Sequence, residues 1–149
     1  MLRRLEHILG IVICAMVTTA SAAPPGPASS EYLQTVGGNF AVSRGKGIKY
    51  VMEFRIMGAM PKEHNLRFVF QHPRKGAEPI TAVSSMAEKE GVLHVQSGLI
   101  DCAQQSSKLG VTVEVYSESG LENKLGEHVQ PMTFSMPPAV LKQFGIPKC

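Results

Sequence analysis

The sequence predicts an all-β domain, a small antiparallel sandwich or open barrel with minor helical turns. Strict alternation carries this expectation. Ile48, Tyr50, Met52, Phe54 and Ile56 fall on one face of a segment whose other face holds Lys49, Glu53 and Arg55. Period two is the signature of a strand with one side on a core. The pattern returns at Leu66-Arg67-Phe68-Val69-Phe70 and again at Val111, Val113 and Val115, with Gly- and Pro-containing gaps between. Helical spacing in the first segment would smear the apolar side chains around the axis, so the strand reading wins.

The chain of 149 residues opens with Arg3 and Arg4, an apolar run over residues 8–17 and the small residues Ala20, Ser21 and Ala22. These are the three regions of a secretory signal, cleaved after Ala22. Ten apolar residues span only about 15 Å as a helix, against a hydrocarbon layer of about 30 Å, so a retained membrane anchor is the weaker reading. A lipid-attachment site at Cys14 is disfavoured by the bulky Ile13 before it. Loss of Arg3, Arg4 and Glu6 lowers the formal charge from +3 to +2, which leaves little basic excess to attract a partner. The expected destination is secreted or periplasmic. None of Asn39, Asn65 and Asn123 lies in an N-glycosylation triplet.

Residues 23–31 then form a Pro-rich leader with little to bury, read as a flexible tether. One domain follows over residues 32–149, too short for a second core. Residues 32–36 and 39–43 read as strands separated by Gly37-Gly38, a turn or a bulge. Residues 48–56 and 66–70 read as an antiparallel pair with a long connection across residues 58–65. Further strands are expected at 92–96, 111–116 and 131–136. Residues 81–90 carry Val83, Met86 and Ala87 at helical spacing before Gly91, which predicts a short helix. Residues 99–109 read as a turn or distorted element, and 139–144 as a helical turn after Pro137-Pro138.

Cys102 and Cys149 remain after signal removal. In an oxidising compartment they have one intramolecular pairing, and closing about 48 residues stabilises by about 4 kcal/mol. The rival arrangement leaves Cys102 free and pairs Cys149 between molecules.

Chemistry-bearing motifs are sparse. His64, His72, His94 and His128 lack the paired spacing of a metal site, and no cofactor is expected. His94 reads as a surface or sheet-edge residue, while His72 before Pro73 marks a strand end. Glu88 and Glu90 flank Lys89 and read as a solvated cluster rather than a catalytic pair. The Ser43-Arg44-Gly45-Lys46-Gly47 run lacks the form of a phosphate-binding loop. Its basic residues Arg44 and Lys46, with Lys49, make a candidate contact surface, and the loop over residues 58–65 makes a second. Nucleic acid is not expected as a partner: the chain has no Trp, and the basic residues form no dense stripe.

Gly47-Ile48-Lys49-Tyr50 opening a long strand, Phe68-Val69-Phe70-Gln71-His72-Pro73 closing the next, and a late strand running through residues 117–120 toward Thr133-Phe134 resemble a family of bacterial exported β-rich proteins of unknown function. The resemblance covers about two-thirds of the chain. It implies a small β-rich periplasmic domain and no catalytic residues. The functional expectation is an exported, non-catalytic binding or structural module for a protein or envelope component. The competing expectation is a small secreted hydrolase using Asp101 or His72 with a loop serine.

Overall fold

A computed structural model describes residues 26–84, 88–89, 91–117 and 120–149. The expected signal over residues 1–22 lies outside the described residues, as do 23–25 of the leader, 85–87 and 90 of the expected helix, and 118–119 of the family-like segment. The strands are β1 (Leu33–Ser43), β2 (Gly47–Ile56), β3 (His64–Phe70), β4 (Ile80–Ser84), β5 (Glu88–Lys89), β6 (Val92–Gln96), β7 (Ser106–Ser117) and β8 (Lys124–Ser135). A short helix, α1 (Pro138–Gln143), follows them.

The strands form two four-stranded antiparallel sheets, ordered β1-β2-β6-β5 and β4-β3-β7-β8. They are not closed into a barrel; the architecture is a sandwich. Its filling is the set the alternation predicts. Ile48, Tyr50, Met52 and Phe54 from one sheet meet Leu66, Phe68, Phe70, Val111, Val113 and Val115 from the other, all buried, with Ile56 partly buried at the margin. Across the core the Tyr50 and Phe70 rings lie 5.2 Å apart, and Phe54 and Phe68 lie 6.0 Å apart. The Tyr50 hydroxyl donates to the Gln71 carbonyl at 2.6 Å, so its polar end is satisfied without leaving the core.

Four local expectations are corrected. β2 and β3 do not pair; they belong to opposite sheets, because their apolar faces meet across the core rather than side by side. The segment between them crosses a sandwich about 10 Å thick. The expected strands at 32–36 and 39–43 are one strand with a bulge between Thr35 and Gly37, so the glycines bend β1 without ending it. The expected helix at 81–90 is replaced by β4 and β5: pairing of residues 80–84 with β3 outweighs a weak helical spacing. Residues 106–109 of the expected irregular element belong to β7.

The C-terminal tail closes one end of the sandwich. Helix α1 ends at Phe144, with Gly145 in the left-handed region at φ +66°. Leu141 and Ile146 are buried, and the Gly45 N–H donates to the Phe144 carbonyl at 2.6 Å. The Ala103 N–H donates to the Pro147 carbonyl at 2.9 Å, the Cys149 N–H donates to the Ala103 carbonyl at 3.1 Å, and a disulfide joins Cys102 to Cys149. Gly47 shows how closely the backbones approach here. Its φ is +138°, and a Cβ would sit 1.9 Å from the Ile100 carbonyl oxygen.

Candidate binding groove

β1 and β8 each end their sheet, and the two free edges flank one side of the sandwich. Between them lies an open groove of about 460 Å³. Met52, Met132 and Phe134 reach it from the core, Phe40 and Val36 line the β1 side, and none of its described lining residues is charged. Gly38 helps open it: a Cβ there would meet Met52 Cε at 3.0 Å and Met132 Cε at 3.4 Å. On the opposite rim, Pro131 removes one N–H from β8, a residue choice tolerated at a sheet edge.

One end of the groove is occupied by the chain itself. Ser29 bridges Gln34 in antiparallel sense, and the Thr35 N–H donates to the Ala28 carbonyl at 2.9 Å. From β8, Gln130 accepts the Ala28 N–H at 2.8 Å and donates to the Gly26 carbonyl at 3.3 Å. The described part of the leader is therefore tied to both edges. Below it, buried His128 joins Thr35 Oγ1 through Nε2 at 2.8 Å and Ser30 Oγ through Nδ1 at 3.1 Å. Burial pushes the His128 imidazole below its ordinary pKa, so it is neutral near pH 7. This contact pairs a serine with a histidine, but it lacks the arrangement of a Ser-His-carboxylate triad. Its third member is a threonine hydroxyl rather than a carboxylate, the ring is buried, and Ser30 Oγ is also bonded to the Leu33 backbone.

The basic residues singled out in the sequence lie elsewhere. Arg44 and Lys46 are exposed in the β1–β2 turn, where the Lys46 N–H donates to the Ser43 carbonyl at 3.0 Å. Lys49 lies half-buried on β2 opposite Ala41. In the 58–65 loop, His64 Nδ1 contacts the Pro61 carbonyl at 2.7 Å and the Met60 N–H donates to the Met57 carbonyl at 3.1 Å. His72 and Asp101, the residues of the hydrolase expectation, share Arg74 as a neighbour. His72 Nδ1 accepts the Arg74 N–H at 3.0 Å, and the Arg74 guanidinium faces Asp101 at 3.9 Å and Cys102 Sγ at 3.6 Å. Such an exposed, loose ion pair contributes little. His94 lies on the outer face of β6 beside Glu53 at 3.2 Å; β6 is an inner strand, so its place is the surface and not the edge.

No family model, curated protein or solved structure matches the chain.

The strongest electrostatic cluster sits on the outer face of the second sheet. Arg67 binds Glu114, which also accepts from the Tyr116 hydroxyl at 2.9 Å and from Lys124 at 3.3 Å. The Arg67 guanidinium, helped by those two donors, pulls the Glu114 carboxyl down to about 2 despite partial desolvation. A carboxylate so held is ionised at every ordinary pH and makes a poor general acid. Among the described residues no three His, Cys, Asp or Glu converge as a metal set, and no helix is long and apolar enough to cross a membrane.

The groove is not legible in the sequence: Gly37-Gly38 inside a strand and Pro131 at an edge are its signals, but sequence alone does not show that β1 and β8 end neighbouring sheets.

Proposed function

We propose that this protein is an exported, non-catalytic module that binds another polypeptide along the groove between β1 and β8. The uncharged, open groove carries the reading. A small apolar ligand is better held by an enclosed cavity that buries most of its surface. A nucleotide calls for charged groups or an anion-binding nest to meet its phosphates, and the lining has no charged residue. A trough flanked by two free strand edges matches an extended chain. The signal-like pattern of residues 1–22 supports the export part of the reading.

Two experiments test it. Intact mass of the exported protein should show a chain beginning at Ala23 and two protons lighter than its reduced form; an uncleaved product would overturn export. Binding to envelope extract should saturate and be lost in Val36→Asp and Thr133→Lys, which alter exposed groove positions. Loss instead in Arg44→Ala with Lys46→Ala would move the contact face to the β1–β2 turn. Turnover in a hydrolase screen, abolished by one polar substitution that leaves folding intact, would refute the non-catalytic reading.

A further inference from the structure

Resting on that reading, we infer that the groove takes its partner as an added β-strand, antiparallel to β1, continuing the strand that residues 28–30 begin. The chain's own leader shows what the space accepts. Ala28 lies between the two edges with its carbonyl on the Thr35 N–H and its N–H on the Gln130 side chain. An extended main chain is thus held from both sheets at once, and Ser29 sets its antiparallel sense against Gln34.

Beyond Thr35 the same groove runs on beside Val36 to Val42 and Pro131 to Met136. Pro27 lines the near end of this stretch, and the five residues from Gly38 to Val42 beyond it correspond to about 17 Å of edge, enough for a short strand. The described leader is a poor ladder partner for this stretch, because Pro27, which lines it, has no N–H to donate. A strand from another protein supplies that donor. Its chemistry follows from the lining. Side chains directed inward land on Met52, Met132 and Phe134, so they must be apolar or small, and a carboxylate or ammonium there would lose its water without gaining a partner. The open side tolerates small polar residues. The partner segment is therefore uncharged over about five residues, with apolar side chains at alternate positions.

The mode separates from mere apolar adhesion by its main-chain hydrogen bonds. The probe is a synthetic peptide, Thr-Val-Ser-Val-Thr-Val-Ser, with two lysines at each end for solubility. A control peptide carries proline in place of each threonine and the first serine. Binding is read by fluorescence anisotropy with the purified exported protein, and amide hydrogen exchange is followed along β1 and β8. The alternating peptide should bind, slow exchange of edge amides between Val36 and Val42 by at least about tenfold, and bind at least about tenfold more tightly than the proline control. Val36→Asp and Thr133→Lys should each weaken it by about tenfold or more with unchanged thermal unfolding. Equal binding of the proline control, or binding without protection of β1, would overturn strand addition. So would a concentration-dependent dimer protecting the same amides without peptide, since the groove would then serve a second copy. Absence of binding up to about 1 mM overturns the inference as well. If groove-dependent capture from envelope extract survives that result, the binding reading stands and only the strand mode falls; if capture fails too, both fall.

Discussion

Replacing Cys149 with serine should remove most of the stability that ties the tail to the sandwich. Cys102 and Cys149 are 47 positions apart, so the bridge closes a loop of about 48 residues in the unfolded chain. On the chain-entropy relation such a loop is worth about 4 kcal/mol at 25 °C. The same residues form backbone bonds between Ala103, Pro147 and Cys149, and these fray once the covalent link is gone. Urea unfolding followed by circular dichroism measures the effect. With a slope of about 1–3 kcal/mol per molar urea, the midpoint should fall by more than about 1 M. The slope itself should rise, because an uncrosslinked unfolded chain exposes more surface. Reducing the wild-type protein should reproduce the shift, and reducing the Cys149→Ser variant should add nothing. A variant within about 1 kcal/mol of the oxidised parent would refute the account and place the stabilisation in the core alone.

Other substitutions test the packing and the buried polar groups. Phe54→Ala deletes a fully buried ring between the sheets and should cost about 3–5 kcal/mol in the same titration, whereas a loss below about 1 kcal/mol would deny it a core role. Gly47→Ala forces a Cβ onto the Ile100 carbonyl at positive φ, so a loss greater than about 1 kcal/mol is expected, and a neutral result would refute the close approach. His128 is held neutral in the fold and takes up a proton more readily when unfolded, so its contribution is present above about pH 6.5 and is lost as pH falls from there toward its lower folded value. His128→Gln should remove that part of the pH dependence, seen as a difference between the two stability profiles; superimposable profiles would refute it. Glu114 has the usual carboxylate sign: its contribution is present above about pH 4.5 and is lost as pH falls toward 2, a slope that Glu114→Gln should flatten.

Much of the sandwich is legible in the sequence because period two directly reports one buried face. Ile48 through Ile56 and Leu66 through Phe70 name their core residues without any knowledge of partners. Which strand lies beside which is a different kind of information. β2 and β3 have the same pattern whether they pair edge to edge or face each other across the core, and the structure has them facing. Local reading also fails where tertiary pairing overrides a weak helical spacing, as at Ile80–Ser84. The Cys102–Cys149 bridge is legible only as a preference: it follows if the signal-like segment with Cys14 is removed and the pairing stays within one molecule, and the structure has that pairing. Arg44, Lys46 and Lys49 are conspicuous in the sequence by their charge; they stand on a turn and an outer face, outside the groove's lining.

An edge strand is normally protected by charge, brevity, proline or a bulge, because its free N–H and C=O groups recruit other strands. β1 and β8 are the reverse of brief, at 11 and 12 residues, and their groove-facing stretches carry no ionised side chain. Along the groove the bulge at Thr35–Gly37 and Pro131 interrupt them, both toward the end where residues 26–30 already sit; a second register shift, between Lys124 and Gly126 of β8, lies outside the groove's lining. The guarded end is thus filled by the chain, while the remainder toward Val42 and Met136 lacks a charged guard. Elsewhere the sheets are not short of charge: Arg67, Glu114, Lys124 and Glu127 are concentrated on the outer face of the second sheet, and Arg55 and Glu53 lie on the first. Charge is placed where the sheets face outward and withheld where two edges meet. That distribution favours an edge kept available for another polypeptide, and a lysine introduced at Thr133 tests it by restoring the missing guard.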